Sequence, residues 1–222
     1  MSLLVKGVGK SFGNVQVLQE VNFSLHKSAF MVVVGASGSG KTTLLRLIAG
    51  LETLDQGEIY INQRKVSSPY YNYPPYKRNL GFVFQSSALW PHMTVEQNIL
   101  FGLKGTPPKE KQQRLEELLE KTSLKHLQSR YPDEISGGEA RRVALARSLA
   151  PNPHCLLMDE PLTNLDADLK EHLLYFIIDT LQESQTSLIY VTHDSKEARI
   201  ISEQRLTLKD GFLQRGDEFA KG

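Results

Sequence analysis

Residues 30–43 read FMVVVGASGSGKTT: an apolar run, a loop punctuated by Gly35, Gly38 and Gly40, and then Lys41, Thr42 and Thr43. A short continuous apolar run suits a strand buried on both faces. Beyond the loop, Leu44, Leu45, Leu47 and Ile48 recur at helical spacing, so a helix is expected from Lys41 to Ala49. The loop between them satisfies G-x-x-x-x-G-K-[ST] at the strand-to-helix junction where that pattern has a mechanism. Gly35, Gly38 and Gly40 are expected to take backbone angles closed to other residues, turning successive amides inward around phosphate oxygens. The helix N-terminus adds partial positive charge. Gly35, Ala36, Ser37, Gly38, Ser39, Gly40, Lys41, Thr42 and Thr43 therefore read as a phosphate cradle. Lys41 is suited to neutralise the β and γ phosphates, and the Thr42 hydroxyl to ligate Mg²⁺.

Working outward, residues 2–8 and 15–25 alternate like strands around the turn pair Gly13-Asn14 and suggest a small antiparallel unit. Further buried strands are expected at 80–84, 155–158 and 187–192. Residues 94–149 read as helical, with Leu115, Leu118 and Leu119 on one face, and suggest an inserted helical subdomain over approximately 88–150. Residues 166–183 form an amphipathic helix through Leu169, Leu173, Phe176, Ile177 and Leu181, followed by a strand, a short helix and two final strands. Strands alternating with helices argue for an α/β core with a mainly parallel sheet, here in one domain over 1–222. YYNYPPY at 70–76 is read as a stiff surface loop, because the basic groove that accompanies base stacking is missing.

Bulk composition excludes several classes. Lys and Arg number 26 against 25 Asp and Glu, which gives no general electrostatic reason to expect nucleic acid or an anionic membrane as partner. Cys155 is the single cysteine, so no internal disulfide forms and a reducing compartment is expected. No apolar run approaches the ~20 residues needed to span a bilayer, and the chain itself reads as soluble.

Two further segments carry chemistry. CLLMDEP, residues 155–161, places Asp159 and Glu160 at the end of an apolar strand. Asp159 is suited to hold Mg²⁺ or one of its waters, and Glu160 to polarise an attacking water. Pro161 is expected to confine Glu160 to extended backbone. ISGGEARR, residues 135–142, opens a helix in which Ser136 offers a hydroxyl, and Gly137 and Gly138 let amides approach a phosphate. Ser136-x-x-Glu139 is also a capping box.

The phosphate loop, Gln85 in GFVFQSS, ISGGE, the MDEP strand end, Asp166 in LTNLDAD and His193 in VTHD follow one another in the order seen in ATP-binding-cassette ATPases, and the chain resembles that family over almost its whole length. The resemblance implies a P-loop NTPase core that binds ATP and Mg²⁺. It implies that Phe12 stacks on adenine, that Gln85 touches Mg²⁺ and links nucleotide to the transport partner, that Asp166 communicates across a dimer, and that His193 contacts the γ-phosphate. Lys41, Gln85, Glu160 and His193 are then the catalytic set, and Thr42, Gln85 and Asp159 the metal set. Ser136, Gly137 and Gly138 resemble the half-site that completes the ATP site of a second copy, head to tail. The segment departs from the commonest family form, LSGGQ, at Ile135 and Glu139.

Residues 78–103 resemble importer ATPases for sugars, polyamines, ferric iron and oxyanions. The resemblance implies an ATPase subunit on the cytoplasmic face of the inner membrane, working with transmembrane permease subunits and a solute-binding protein, with no nucleic acid. Trp90 and Met93 are then expected to form part of the permease contact, with packing inside the helical subdomain as the alternative. An exporter ATPase and a soluble ATP-dependent switch acting on a macromolecule are the alternatives. The chain stops soon after His193, so the C-terminal regulatory domain that many such relatives carry is not expected.

Overall fold

The computed structural model describes residues 2–103, 105–163, 165, 167–202 and 204–215. Its elements, in chain order, are β1 (Leu3–Phe12), β2 (Val15–Leu25), β3 (Phe30–Val34), α1 (Lys41–Ala49), β4 (Gln56–Ile61), β5 (Arg64–Ser68), β6 (Tyr71–Asn72), β7 (Leu80–Val83), α2 (Val95–Leu100), α3 (Pro108–Lys121), α4 (Gly137–Leu149), β8 (Cys155–Asp159), α5 (Ala167–Glu183), β9 (Ser187–Thr192), α6 (Ser195–Ile201), β10 (Arg205–Lys209) and β11 (Phe212–Arg215).

The strands form two sheets. One is antiparallel, ordered β2-β1-β4-β5-β6. The other is ordered β11-β10-β3-β9-β8-β7 and is parallel throughout except for β11 at its edge. The expected antiparallel unit of two strands is thus larger, because β4, β5 and β6 join it. Those strands are short and rich in polar residues, so their sequences carry little apolar signal.

The continuous apolar runs serve two cores. Val32 and Val34 of β3, Leu156 and Met158 of β8, and Leu188 and Tyr190 of β9 face one core with helices α2 to α6. Met31, Val33, Cys155, Leu157, Ile189 and Val191 alternate onto the other face, against α1 and the antiparallel sheet. Strand side chains point to opposite faces in turn, so a strand covered on both sides must be apolar at every position. Burial pushes the Cys155 thiol up to about 12, so it remains a neutral core side chain.

The stretch expected to be helical over 94–149 is interrupted between α2 and α3 and between α3 and α4. Pro107, Pro108 and Pro132 explain the breaks, since proline lacks the donor and sterically opposes the preceding turn. Arg78, only 3% exposed, joins the antiparallel sheet to α1. Its guanidinium donates to the carbonyls of Leu47, Ile48, Val66 and Tyr73 and to the side chains of Ser67 and Asn72. Two of those carbonyls close the C-terminal turn of α1, where helix acceptors otherwise lack partners.

Candidate nucleotide site

β3, β9 and β8 lie side by side in register, Val34 beside Thr192 and Val191 beside Asp159. Their carboxyl ends therefore deliver the glycine loop, His193 and Glu160 to one edge, the place where open α/β sheets bind ligands. Gly38 and Gly40 sit at φ 80° and 99°, as the loop requires. Gly35 is needed for a different reason than expected. Its backbone is not left-handed, but a Cβ there would lie 2.5 Å from the Leu208 carbonyl oxygen.

Lys41 is 4% exposed, and its Nζ donates to the carbonyls of Gly35 and Ala36, each at 2.9 Å. The same nitrogen lies 3.4 Å from Glu160 Oε1, while Glu160 Oε2 lies 2.9 Å from His193 Nδ1. Thr42 Oγ1 donates to Asp159 Oδ1 at 3.0 Å. Burial raises the Asp159 pKa and the Glu160 charge adds to the rise, against the Thr42 hydrogen bond and the Lys41 charge. Lys41, Thr42, Asp159, Glu160 and His193 thus form one contiguous cluster.

Glu160 departs from the expected extended backbone, with φ 44° in the left-handed region. Pro161 favours extended backbone for the residue before it, and the hydrogen bonds around Glu160 override that preference. The Glu160 N–H donates to the Val191 carbonyl at 2.9 Å, and the Glu160 carbonyl accepts from the Thr163 hydroxyl at 3.0 Å. Such a conformation costs a non-glycine residue about 1–3 kcal/mol and persists where its surroundings impose it.

The loop fits a phosphate chain. Among the described residues Ser39 Oγ is buried without a protein partner, two residues before the α1 N-terminus. A cavity of about 530 Å³ borders the loop, lined by Gly35 to Ser39, Val15 to Val17 and Thr207 to Gly211. Among the described residues no cluster of three or more His, Cys, Asp or Glu side chains could hold a metal. The Thr42 and Asp159 oxygens instead suit Mg²⁺ shared with phosphates, which takes one or two protein carboxylates rather than a full protein cage.

The remaining expected residues lie outside this cluster. Phe12 is 48% exposed, with Lys10 Nζ 5.0 Å from its ring centre, so its ring is open to stacking. The Gln85 side chain is exposed, and its carbonyl accepts from Arg141 at 3.0 Å. Ser136 caps α4: its Oγ accepts from the Glu139 N–H at 3.3 Å, and its own N–H donates to Glu139 Oε2 at 2.7 Å. That second bond holds the Glu139 carboxyl below its ordinary pKa. Gly138 packs on α5, where a Cβ would lie 2.9 Å from Leu169, while Gly137 faces open space. Among the described residues, no hydrogen bond or ion pair joins Ser136, Gly137 or Gly138 to the Lys41 cluster. Asp166 lies outside the described residues.

Trp90 is half-buried, its ring 4.8 Å from that of Phe101 and 4.8 Å from the Arg147 guanidinium; Met93 is likewise half-buried. The loop around them is tied down by fully buried Asn98, which accepts from the Trp90 N–H and donates to the carbonyls of Trp90, Met93 and Thr94.

Sequence reasoning missed the support behind His193. Buried Glu197 accepts from Tyr190 at 3.0 Å and Thr192 at 2.7 Å and pairs with Lys170 at 3.2 Å, while the Thr192 hydroxyl accepts from the Asp194 N–H at 3.0 Å. The available signal was a glutamate on the inward face of a short helix, four residues after the histidine.

A glycine-cradled helix start after β3, with two carboxylates at the end of β8, the next strand but one in the same parallel sheet, defines a phosphate-loop nucleotide-binding α/β protein. The family described as "ABC transporter" matches residues 18–163, and the chain belongs to that family. It is 41% identical over 220 residues to the sulfate/thiosulfate import ATP-binding protein CysA of Halalkalibacterium halodurans, covering 96% of this chain and 60% of that protein. It is 44% identical over 215 residues to the Fe(3+) ions import ATP-binding protein FbpC 2 of Pectobacterium atrosepticum, covering 96% and 62%. The solved dimeric structure of a post-hydrolysis state of the ATP-binding cassette MJ0796 bound to ADP and Pi matches with a TM-score of 0.84 at 31% identity, covering 99% of this chain and 100% of that one. The chain spans about 60% of the length of the curated relatives it matches.

Proposed function

We propose that this protein is the ATP-hydrolysing subunit of a solute importer, acting through separate transmembrane permease subunits. One observation carries the reading: Lys41, Glu160 and His193 are linked side chain to side chain, beside the Thr42–Asp159 pair, where three parallel strands end. The loop from Gly35 to Thr43 and the Lys41 ammonium hold the phosphates, and the Phe12 ring stacks on adenine. Glu160, held by Lys41 at Oε1 and by His193 at Oε2, takes the proton of the attacking water. Thr42, Asp159 and Gln85 hold Mg²⁺, which when bound supplies charge neutralisation on the phosphates. His193 Nδ1 is engaged by Glu160, which leaves its other ring nitrogen for the γ-phosphate.

The Ser136–Gly138 half-site, exposed in large part and self-capped, serves the nucleotide of a second copy, as does Asp166. The dimeric solved structure at 31% identity supports that assembly. Residues 88–150 act as the subdomain that carries this half-site and, near Trp90 and Met93, receives the permease. The names of the relatives favour import over export or a soluble switch. No helix among the described residues is long and apolar enough to cross a membrane, which agrees with attachment to the cytoplasmic face through permeases; a solute-binding protein completes the system.

The test is Glu160→Gln, assayed for ATP turnover, ATP binding and size-exclusion behaviour with Mg·ATP. Turnover should fall by about 10² to 10⁴, as for loss of a general base, with binding kept and a dimer trapped. Near-normal turnover removes Glu160 from this role.

A further inference from the structure

We propose that Arg141 is a positioning residue for Glu160, holding the strained turn after β8 and tying it to the Gln85 loop. The inference rests on the reading of Glu160 as the base. The Arg141 guanidinium donates to the Gln85 carbonyl at 3.0 Å, to the Thr163 carbonyl at 2.9 Å and to the Pro161 carbonyl. These acceptors bracket the two segments the chemistry needs. Pro161 and Thr163 belong to the turn that keeps Glu160 at φ 44°, and the third carbonyl is that of Gln85 itself. All three contacts are to backbone, so they set where a segment lies rather than what its side chains do.

The same helix grips the Gln85 loop a second time. Arg147 donates to the carbonyls of Ser87 and Ala88 at 3.0 and 2.8 Å, and Ala88 is another non-glycine residue in the left-handed region, at φ 44°. Non-glycine strain of this kind survives only where neighbouring groups over-determine the backbone; at Glu160 the bonds to Val191 and Thr163 do so, and at both places an arginine of α4 holds the adjoining carbonyls. Burial lowers the pKa of both arginines, but a guanidinium stays charged at any physiological pH. Its fixed planar fork can satisfy several carbonyls at once where a lysine would offer a single point of charge. The helix that begins with Ser136 therefore sets the position of Glu160 and of Gln85 together. A shift of α4 when its N-terminus engages a nucleotide would be felt at both.

The test compares wild type, Arg141→Met, Arg141→Lys, Glu160→Gln and the double variant Arg141→Met/Glu160→Gln for kcat, KM and equilibrium ATP affinity. Because Arg141 acts through the placement of Glu160, Arg141→Met should lower kcat about 10- to 100-fold, the scale of a small misplacement of a catalytic group. ATP affinity should stay within about twofold, and Arg141→Lys should recover part of the loss. In the Glu160→Gln background Arg141→Met should cost no more than about a further twofold, which is the scatter of such comparisons and far short of the multiplicative loss that independent sites would give. A kcat near wild type for Arg141→Met overturns the proposal. So does a full multiplicative loss in the double variant, which would mean that Arg141 acts elsewhere. If Arg141→Met does not fold, Arg141→Lys and Arg141→Gln carry the same comparison in both backgrounds. Near-normal turnover in Glu160→Gln alone sinks the reading of the base instead, and so separates the two failures.

Discussion

On the proposed reading the Lys41 cluster and the Ser136 helix start both meet phosphate, yet they satisfy their polar groups in opposite ways. Lys41, Thr42, Asp159, Glu160 and His193 come from three strand ends and are joined across them in two sets, Lys41–Glu160–His193 and Thr42–Asp159. Ser136 and Glu139 satisfy each other within one helical turn. The cluster is a product of tertiary closure, whereas the helix start is locally complete and, among the described residues, meets the Glu160 turn and the Gln85 loop through the arginines that follow it. A change in the cluster should therefore spread to binding and chemistry. One in the cap should stay local unless a second copy reads it.

Lys41→Ala should show the largest effect of that contrast. It removes the charge that faces the phosphates, and loss of charge-assisted hydrogen bonds of about 2 kcal/mol corresponds to about thirtyfold weaker ATP binding. Equilibrium titration with Mg·ATP measures it, and unchanged affinity would show that the cluster does not bind phosphate.

Asp159→Asn should separate stability from function within the cluster. The folded protein raises the Asp159 pKa, mainly through burial. The native state thus binds a proton more readily than the unfolded chain, and stability falls as pH rises from the unfolded value near 3.9 through the folded one. At neutral pH the charged carboxylate is a net cost to the nucleotide-free fold. Asp159→Asn should raise the nucleotide-free thermal midpoint and flatten its dependence on pH across that window, while weakening the stabilisation gained from Mg·ATP. Thermal melts from acid to neutral pH, with and without Mg·ATP, check both.

The cap gives the smaller effects. Glu139→Ala should cost about 1 kcal/mol, as for other cap losses, seen as a lower thermal midpoint without nucleotide. Glu139→Gln keeps the bond to the Ser136 N–H and should leave the midpoint unchanged, with dimerisation under Mg·ATP close to wild type. Much tighter dimerisation of Glu139→Gln would show instead that the carboxylate repels the nucleotide of the second copy, and would erase the contrast between the two regions.

What could be read from the sequence follows the range of the forces involved. The apolar runs FMVVV, CLLM and, within SLIYVT, LIYV announced buried strands because each of those positions faces one of two cores. The glycine loop was legible because its glycines, lysine and threonines follow one another in a single short stretch at a strand-to-helix junction. The capping box was legible because its partners stand three residues apart, a spacing the helix itself supplies. Proline breaks within 94–149, and the short polar strands β4 to β6, were local features too weak beside the apolar pattern to be read in advance.

The sequence by itself thus determined the α/β class, the phosphate loop and the residues that could carry chemistry. Only the tertiary structure decided that Glu160 is left-handed, because the Val191 carbonyl that receives its N–H lies on a neighbouring strand. It alone decided that Gly35 must yield space to Leu208, that Arg78 closes α1, and that Arg141 turns to Gln85, Pro161 and Thr163 rather than to Glu139. The physical reason is the same in each case: a backbone carbonyl is present at every residue, so which one an amide or guanidinium meets is settled by the closure of the chain and not by the identity of the residue that bears it.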